Sequence, residues 1–246
     1  MNSDDLKSRA QALRASGHTP KQIARTLGIP RSQAVSLLHS SPSPRPPRPS
    51  RAPIPDRRLI GCWISRQWSN GLTITDRPAD WIDDTDLPPL AMGAGLPSIC
   101  VAREHNDTEA SVCGYLVDTY CQGVKNAVPP SIVDRRELAA FVADFFAAYD
   151  TGPLTAPITL AQDLILGAVD YATTLGFDPH PDFYLAKPHL GTWQPPSRIQ
   201  FGLHGRPYFQ QGPYDNPSRI LRTLDRSVGP SNYGFTANIA ISSDPR

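Results

Sequence analysis

Residues 41–58 form a segment that cannot be part of a compact core. These eighteen residues hold seven prolines and five arginines, and their apolar residues follow neither a helical nor an alternating pattern. Such a composition cannot bury enough apolar surface to fold by itself. Because proline at this density favours an extended chain of ~3.1 Å per residue, we expect a Pro/Arg-rich flexible linker between two separately folded parts, residues 1–40 and residues 59–246.

The two ends of the chain carry opposite charge. Residues 1–58 contain 11 Lys or Arg and 3 Asp or Glu, whereas residues 59–246 contain 13 and 20, so the formal net charge of +1 conceals +8 and −7. A small basic part joined to a larger acidic part is typical of a protein whose basic part binds a polyanion. In a polyproline helix Arg45, Arg48 and Arg51 would align along one edge. Two roles fit this strip equally well: it could contact a run of phosphates, or it could be part of a spacer whose arginines only keep it solvated.

The apolar spacing near the N-terminus predicts three short helices, at about residues 4–16, 20–27 and 30–39. Thr19 fits the N-cap of the second helix, with a proline at its first helical position. Gly28 supplies the positive φ that a tight turn between two helices requires. We therefore expect a small all-α helix-turn-helix domain at this end of the chain.

The run from Gly17 to Leu38, GHTPKQIARTLGIPRSQAVSLL, resembles the helix-turn-helix domains of site-specific recombinases, transposases and many bacterial regulators. It departs from them at Pro30, where those domains usually have Ser or Thr. The resemblance implies that the third helix reads base edges in the major groove while the second helix lies over phosphates. The residues concerned are Arg31, Ser32, Gln33 and Ser36 for the bases, and Thr19 and Lys21 for the phosphates. The alternative is a three-helix module that contacts another protein.

The acidic part, called the body from here on, shows mixed periodicity. Segments with strand character lie at residues 59–65, 72–75, 98–102, 112–117, 198–201, 208–210 and 233–241. Helical stripes lie at about residues 133–149, 160–175 and 217–228. This order is typical of an α+β fold. The predicted fold class is thus an α+β body with a small all-α three-helix domain at the N-terminus, joined to it by the linker.

The cysteines of the body point to core packing and not to metal binding. Cys62, Cys100, Cys113 and Cys121 include no Cys-x-x-Cys pair and no closely spaced Cys/His set, so we expect buried, reduced thiols. No cofactor is predicted, because neither a P-loop nor a dinucleotide-type glycine pattern occurs. No apolar run approaches the ~18 residues of a membrane span. We expect a cytoplasmic protein without a membrane partner, associated with the nucleoid when bound to DNA.

Two places in the body could carry catalytic side chains. Asp118 directly follows an apolar strand, and a lysine such as Lys125 near Cys121 can lower the pKa of the thiol enough to make a nucleophile. His180 and Asp182 stand in a proline-framed turn, where they could form an acid–base or metal pair with Asp118 or Asp170. No spacing matches a known catalytic motif. The alternative roles are structural: a turn cap, a solvated lysine and a histidine packed between prolines.

Three stretches of the body are similar to blocks of uncharacterised bacterial proteins, some of which carry a small SecA-type zinc-binding tail. They are GYLVDTYCQGVKN at 114–126, LGAVDYA with GFDPHPD between 166 and 182, and FGLHGRPY with GPYD between 201 and 215. The Cys/His cluster of that tail is absent from this sequence. The resemblance spans about residues 60–235 and implies no activity.

Three functions fit these observations. The first is a transcriptional regulator that binds double-stranded DNA. Because one small domain binds DNA weakly by itself, we expect the body to form a homodimer, sense a small-molecule ligand or recruit a partner. The second is an enzyme acting on nucleic acid or nucleotides through the catalytic candidates of the body. The third is a non-catalytic adaptor that binds proteins through both parts.

Overall fold

The structure is a computed structural model of the chain, and it describes residues 6, 9, 13, 20–29, 57–84, 93–149 and 151–237. The chain divides into two units, Met1–Arg51 and Ala52–Arg246. In the first unit, helix α1 (Pro20–Leu27) buries Ile23 and Ala24. Leu13, Leu27 and Ile29 pack against them.

The expected three-helix domain is not shown by the structure. Residues 6, 9 and 13 are helical, and α1 is followed by a turn in which Gly28 has φ +66 and the Ile29 N–H donates to the Ala24 carbonyl at 3.0 Å. The helix predicted at 30–39 lies outside the described residues. The described apolar cluster of this unit has five members. The fold class is therefore corrected to a mixed α+β fold with few helices, built on a five-stranded antiparallel sheet.

Nine strands form the sheets of the described body. In chain order they are β1 (Leu59–Ile64), β2 (Thr73–Ile74), β3 (Ser98–Glu104), β4 (Glu109–Asp118), β5 (Gly123–Asp134), β6 (Leu154–Thr155), β7 (Ile199–Gln200), β8 (Tyr208–Gln210) and β9 (Gly234–Thr236). The main sheet has the order β5-β4-β3-β1-β6, with every pair antiparallel. Strand β2 pairs antiparallel with β7, and β8 pairs in parallel with β9.

The helices of the body cover both faces of the main sheet. They are α2 (Leu138–Phe145), α3 (Ile158–Thr174), α4 (Phe183–Ala186) and α5 (Pro217–Ser227), with a 3₁₀ helix at Lys187–Leu190. Because strand residues alternate between faces, Ile99 and Val101 of β3 join the core that α3 completes. Cys100 and Ala102 point the other way, into a second core closed by α2.

The predicted helix at 133–149 begins later than expected. Strand β5 continues to Asp134, and the Asp134 carboxylate accepts the Arg136 N–H at 2.8 Å in the turn that follows, so α2 starts only at Leu138. Among the described residues, no helix has the combined length and apolar character that a membrane crossing requires.

A third apolar cluster positions α5. Ile220 and Leu224 of this helix pack with Phe209 of β8, with Leu175 after α3 and with Cys121 in the β4–β5 turn. The inward face of α5 is therefore fixed beside this turn, and its opposite face points to solvent.

Candidate functional site

Asp118, the last residue of β4, holds the β4–β5 turn together. One oxygen of its buried carboxylate accepts the N–H groups of Tyr120 and Cys121 at 3.0 and 2.9 Å, and the other lies 3.4 Å from the Gln122 amide nitrogen. Burial raises the pKa of the Asp118 carboxyl, and the positive charge of Lys125 and the N–H groups of the turn oppose that rise. These contacts are those of a turn-forming aspartate.

Cys121 lies in the same turn and is fully buried. Burial, reinforced by the negative charge of Asp118, raises the pKa of its thiol well above the ordinary value, and Lys125 only partly offsets this. A nucleophilic thiol needs the opposite shift and access to a substrate. The other three cysteines are also buried, and all four are free.

Lys125 forms an ion pair that ties two distant parts of the body together. Its Nζ donates to Asp215 Oδ2 at 2.6 Å, and the two side chains are only 15% and 11% exposed. The same carboxylate oxygen accepts the Gly212 N–H at 2.7 Å. Lys125 is therefore not a solvated side chain, and the pair joins β5 to the loop that precedes α5.

His180 is fixed to β5 through its backbone, since its N–H donates to the Val124 carbonyl at 2.9 Å. The Asp182 N–H donates to His180 Nδ1 at 3.3 Å, and the Asp182 carboxylate lies 3.9 Å from the same nitrogen. The two side chains are partly exposed, and Asp182 is the N-cap residue of the short helix α4. His180 and Asp182 therefore make a loose contact with each other within one turn.

Lys125 and His180 line a shared cleft of about 230 Å³, together with Asp178 and Asp215. A second cleft, of about 350 Å³, adjoins it along Asp178 and Asp215 and extends to Arg219 on α5. These two openings are the candidate functional site of the body.

The structure separates the five catalytic candidates into two at the first cleft, two buried in the turn and one outside both. Lys125 and His180 reach the first cleft, Asp118 and Cys121 lie buried in the turn, and Asp182 is not among the residues that line either opening. Within the described residues, no group of three or more His, Cys, Asp or Glu side chains could hold a metal ion. The two openings are lined by polar and charged side chains, and Cys121, which is buried and lines neither of them, is inaccessible as a nucleophile.

Asp215 is the site residue that the sequence did not assign. The neighbouring Asn216 caps α5, and its Oδ1 accepts the Arg219 N–H at 3.1 Å. The pairing of Asp215 with Lys125 spans 90 positions of sequence, so no local pattern could have revealed it.

The residues expected to contact DNA lie almost wholly outside the described part of the chain. Lys21 is in α1 by its backbone. The remaining predicted contacts fall outside the described residues: Thr19, Arg31, Ser32, Gln33, Ser36, Arg45, Arg48 and Arg51.

No protein-family model matches the chain, and neither a curated protein nor a solved structure matches it. The two resemblances drawn from the sequence therefore stay predictions. The function of the chain has to be inferred from its charge and its geometry.

Proposed function

We propose that this protein binds double-stranded DNA through its basic N-terminal 58 residues and acts as a regulator, with the body as the part that dimerises, senses a ligand or recruits a partner. The observation that carries this proposal is the division of charge, +8 in residues 1–58 against −7 in the remainder. Phosphate contacts from Lys and Arg supply nearly all non-specific affinity for DNA and much of the specific affinity. The proposal rests on this charge and not on a three-helix domain.

The described residues of the basic part are compatible with such a surface. Arg25 of α1 is exposed, whereas Ile23 and Ala24 are buried. The helix thus keeps its apolar side inward and leaves a positive side chain available for phosphate.

The proposal is tested with the full-length chain and a fluorescently labelled 25-base-pair duplex of random sequence, followed by anisotropy over a range of salt concentrations. We expect binding that weakens steeply with salt. Replacing Arg45, Arg48 and Arg51 by Gln should reduce the slope of log K against log salt by about 0.9 for each phosphate that the arginines neutralise.

A double variant of the body, Arg136→Gln/Lys187→Gln, serves as the control, because both side chains are exposed and lie far from the basic segment in sequence. Its slope should equal that of the unmodified chain. Absence of binding in dilute buffer, or binding indifferent to salt, would overturn the proposal and favour the protein–protein adaptor.

A further inference from the structure

Helix α5 presents three arginines along its outward face. Ile220 and Leu224 are buried in the third apolar cluster, while Arg219, Arg222 and Arg226 are all exposed. At a rise of 1.5 Å per residue the three arginines extend over roughly 10 Å of the helix axis. They line a shallow concave surface of about 420 Å³, called the arginine face below.

Within the residues that the structure describes, these charges do not join one element to another. Elsewhere in the body, arginines pair with carboxylates of distant segments, as Arg66 does with Asp84 and Arg198 with Asp163. On α5, Arg222 and Arg226 donate to carbonyls one turn earlier in their own helix, at 3.0 and 3.2 Å.

No carboxylate in the described part of the chain forms an ion pair with any arginine of this face. The acid within it, Asp225, instead accepts the Tyr233 hydroxyl at 2.8 Å. Three adjacent cations on a body whose formal net charge is −7 thus remain available to an external anion.

The residues of the arginine face favour one class of binding partner over the others. A helix that binds a membrane surface inserts apolar side chains, and here the apolar side chains Ile220 and Leu224 are already buried in the body. A protein interface is usually centred on a buried aromatic or aliphatic anchor, whereas the outward positions of α5 are polar or charged. Phosphate contacts need only positive charge and N–H donors.

We propose that the arginine face of α5 binds the phosphate backbone of nucleic acid, as a second contact on the body. This inference rests on the proposed function and extends it, because it gives the acidic body a direct part in binding. Without a local concentration of arginines, the net negative charge of the body would repel the phosphates.

The test compares two double variants of the full-length chain in the same anisotropy experiment. Arg222→Gln/Arg226→Gln removes two charges from the face, and Arg136→Gln/Lys187→Gln removes two exposed charges elsewhere on the body. Glutamine is a good helix former, and circular dichroism confirms that both variants are folded. We expect the first variant to bind more weakly, with a slope of log K against log salt lower by about 1.8, and the second to keep the original slope.

The outcomes separate this inference from the proposed function. If the unmodified chain binds the duplex but the two double variants show equal slopes, the arginine face makes no contact and the inference falls while the proposed function stands. If the unmodified chain binds no nucleic acid, both fall together. A reduced slope confined to Arg222→Gln/Arg226→Gln supports the inference.

Discussion

At the scale of the single residue, His189 couples the stability of the body to pH. It is fully buried in the 3₁₀ helix, with Nε2 2.8 Å from the Ser111 hydroxyl and Nδ1 without a hydrogen-bond partner among the described residues. Burial, aided by the positive charges of Arg103 and Arg57, lowers its pKa to about 4. In the unfolded chain a histidine has a pKa of about 6.5.

Because the unfolded state binds the proton more readily, stability should fall as pH drops from about 6.5 towards 4. At about 1.4 kcal/mol per pKa unit, the contribution of His189 to this loss of stability reaches about 3 kcal/mol near pH 4 and vanishes above pH 7. Urea unfolding at pH 7 and pH 4.5 measures it. His189→Gln should show a shallower pH dependence, and equal dependence in both proteins would refute the assignment.

The Lys125–Asp215 pair is the second residue-scale feature on which stability depends. Lys125→Met should lower the free energy of unfolding by about 2 kcal/mol, because it leaves the largely buried Asp215 unpaired and removes the cation beside Asp118. A double-mutant cycle with Asp215→Asn measures the coupling. The exposed pair of Arg58 with Glu104 provides the control, since Arg58→Gln should leave stability unchanged. An effect no larger than that of the control would contradict the role of the pair.

At the scale of the element, sequence patterns predict the helices and strands whose formation depends mainly on residues that are near one another in the chain. Helices α3 and α5 follow from their apolar stripes, and α3 runs from Ile158 to Thr174 against an expected 160–175. Strand β5 was missed, because Pro129 and Pro130 interrupt it. Proline is tolerated there since β5 is an edge strand of the sheet and its pairing with β4 is interrupted by a register shift between Val128 and Ser131, where both prolines lie. Edge position is a tertiary property that the sequence does not display.

The candidate site was predictable only in part, for the same reason. Asp118, Cys121 and Lys125 are close in sequence, and they lie in or directly beside the β4–β5 turn. Their closeness in space could therefore be predicted from the sequence. Whether the thiol is accessible depends on Phe209 and Leu224, which pack over it from elements more than 80 residues away. Burial by remote segments therefore makes Cys121 a core residue, as expected for all four cysteines, and leaves its thiol inaccessible for the alternative role of nucleophile.

The start of α5 provides a prediction about one element. Asn216 is extended, with its side chain accepting the Arg219 N–H, so Asn216→Ala should cost about 1 kcal/mol of stability. Asn216→Ser, which retains a capping oxygen, should cost little. Urea unfolding of the two variants checks this. If Ala and Ser were equivalent, the cap would not stabilise the helix that carries the arginine face.

At the scale of the whole molecule, the three apolar clusters of the body are formed entirely by residues beyond position 58. Among the described residues, the unit Ala52–Arg246 thus supplies every member of these three clusters. A chain lacking residues 1–51 should unfold at the same temperature as the full-length protein while losing most of its affinity for DNA, because the deletion removes nine of the eleven Lys and Arg residues of the basic segment 1–58. Calorimetry and anisotropy on the same sample measure the two quantities. For a domain of this size, a decrease of more than about 5 °C in the midpoint of thermal unfolding corresponds to over ~1 kcal/mol of stability. Such a decrease would mean that the basic segment stabilises the body. Affinity retained in full would place the DNA contacts on the body alone.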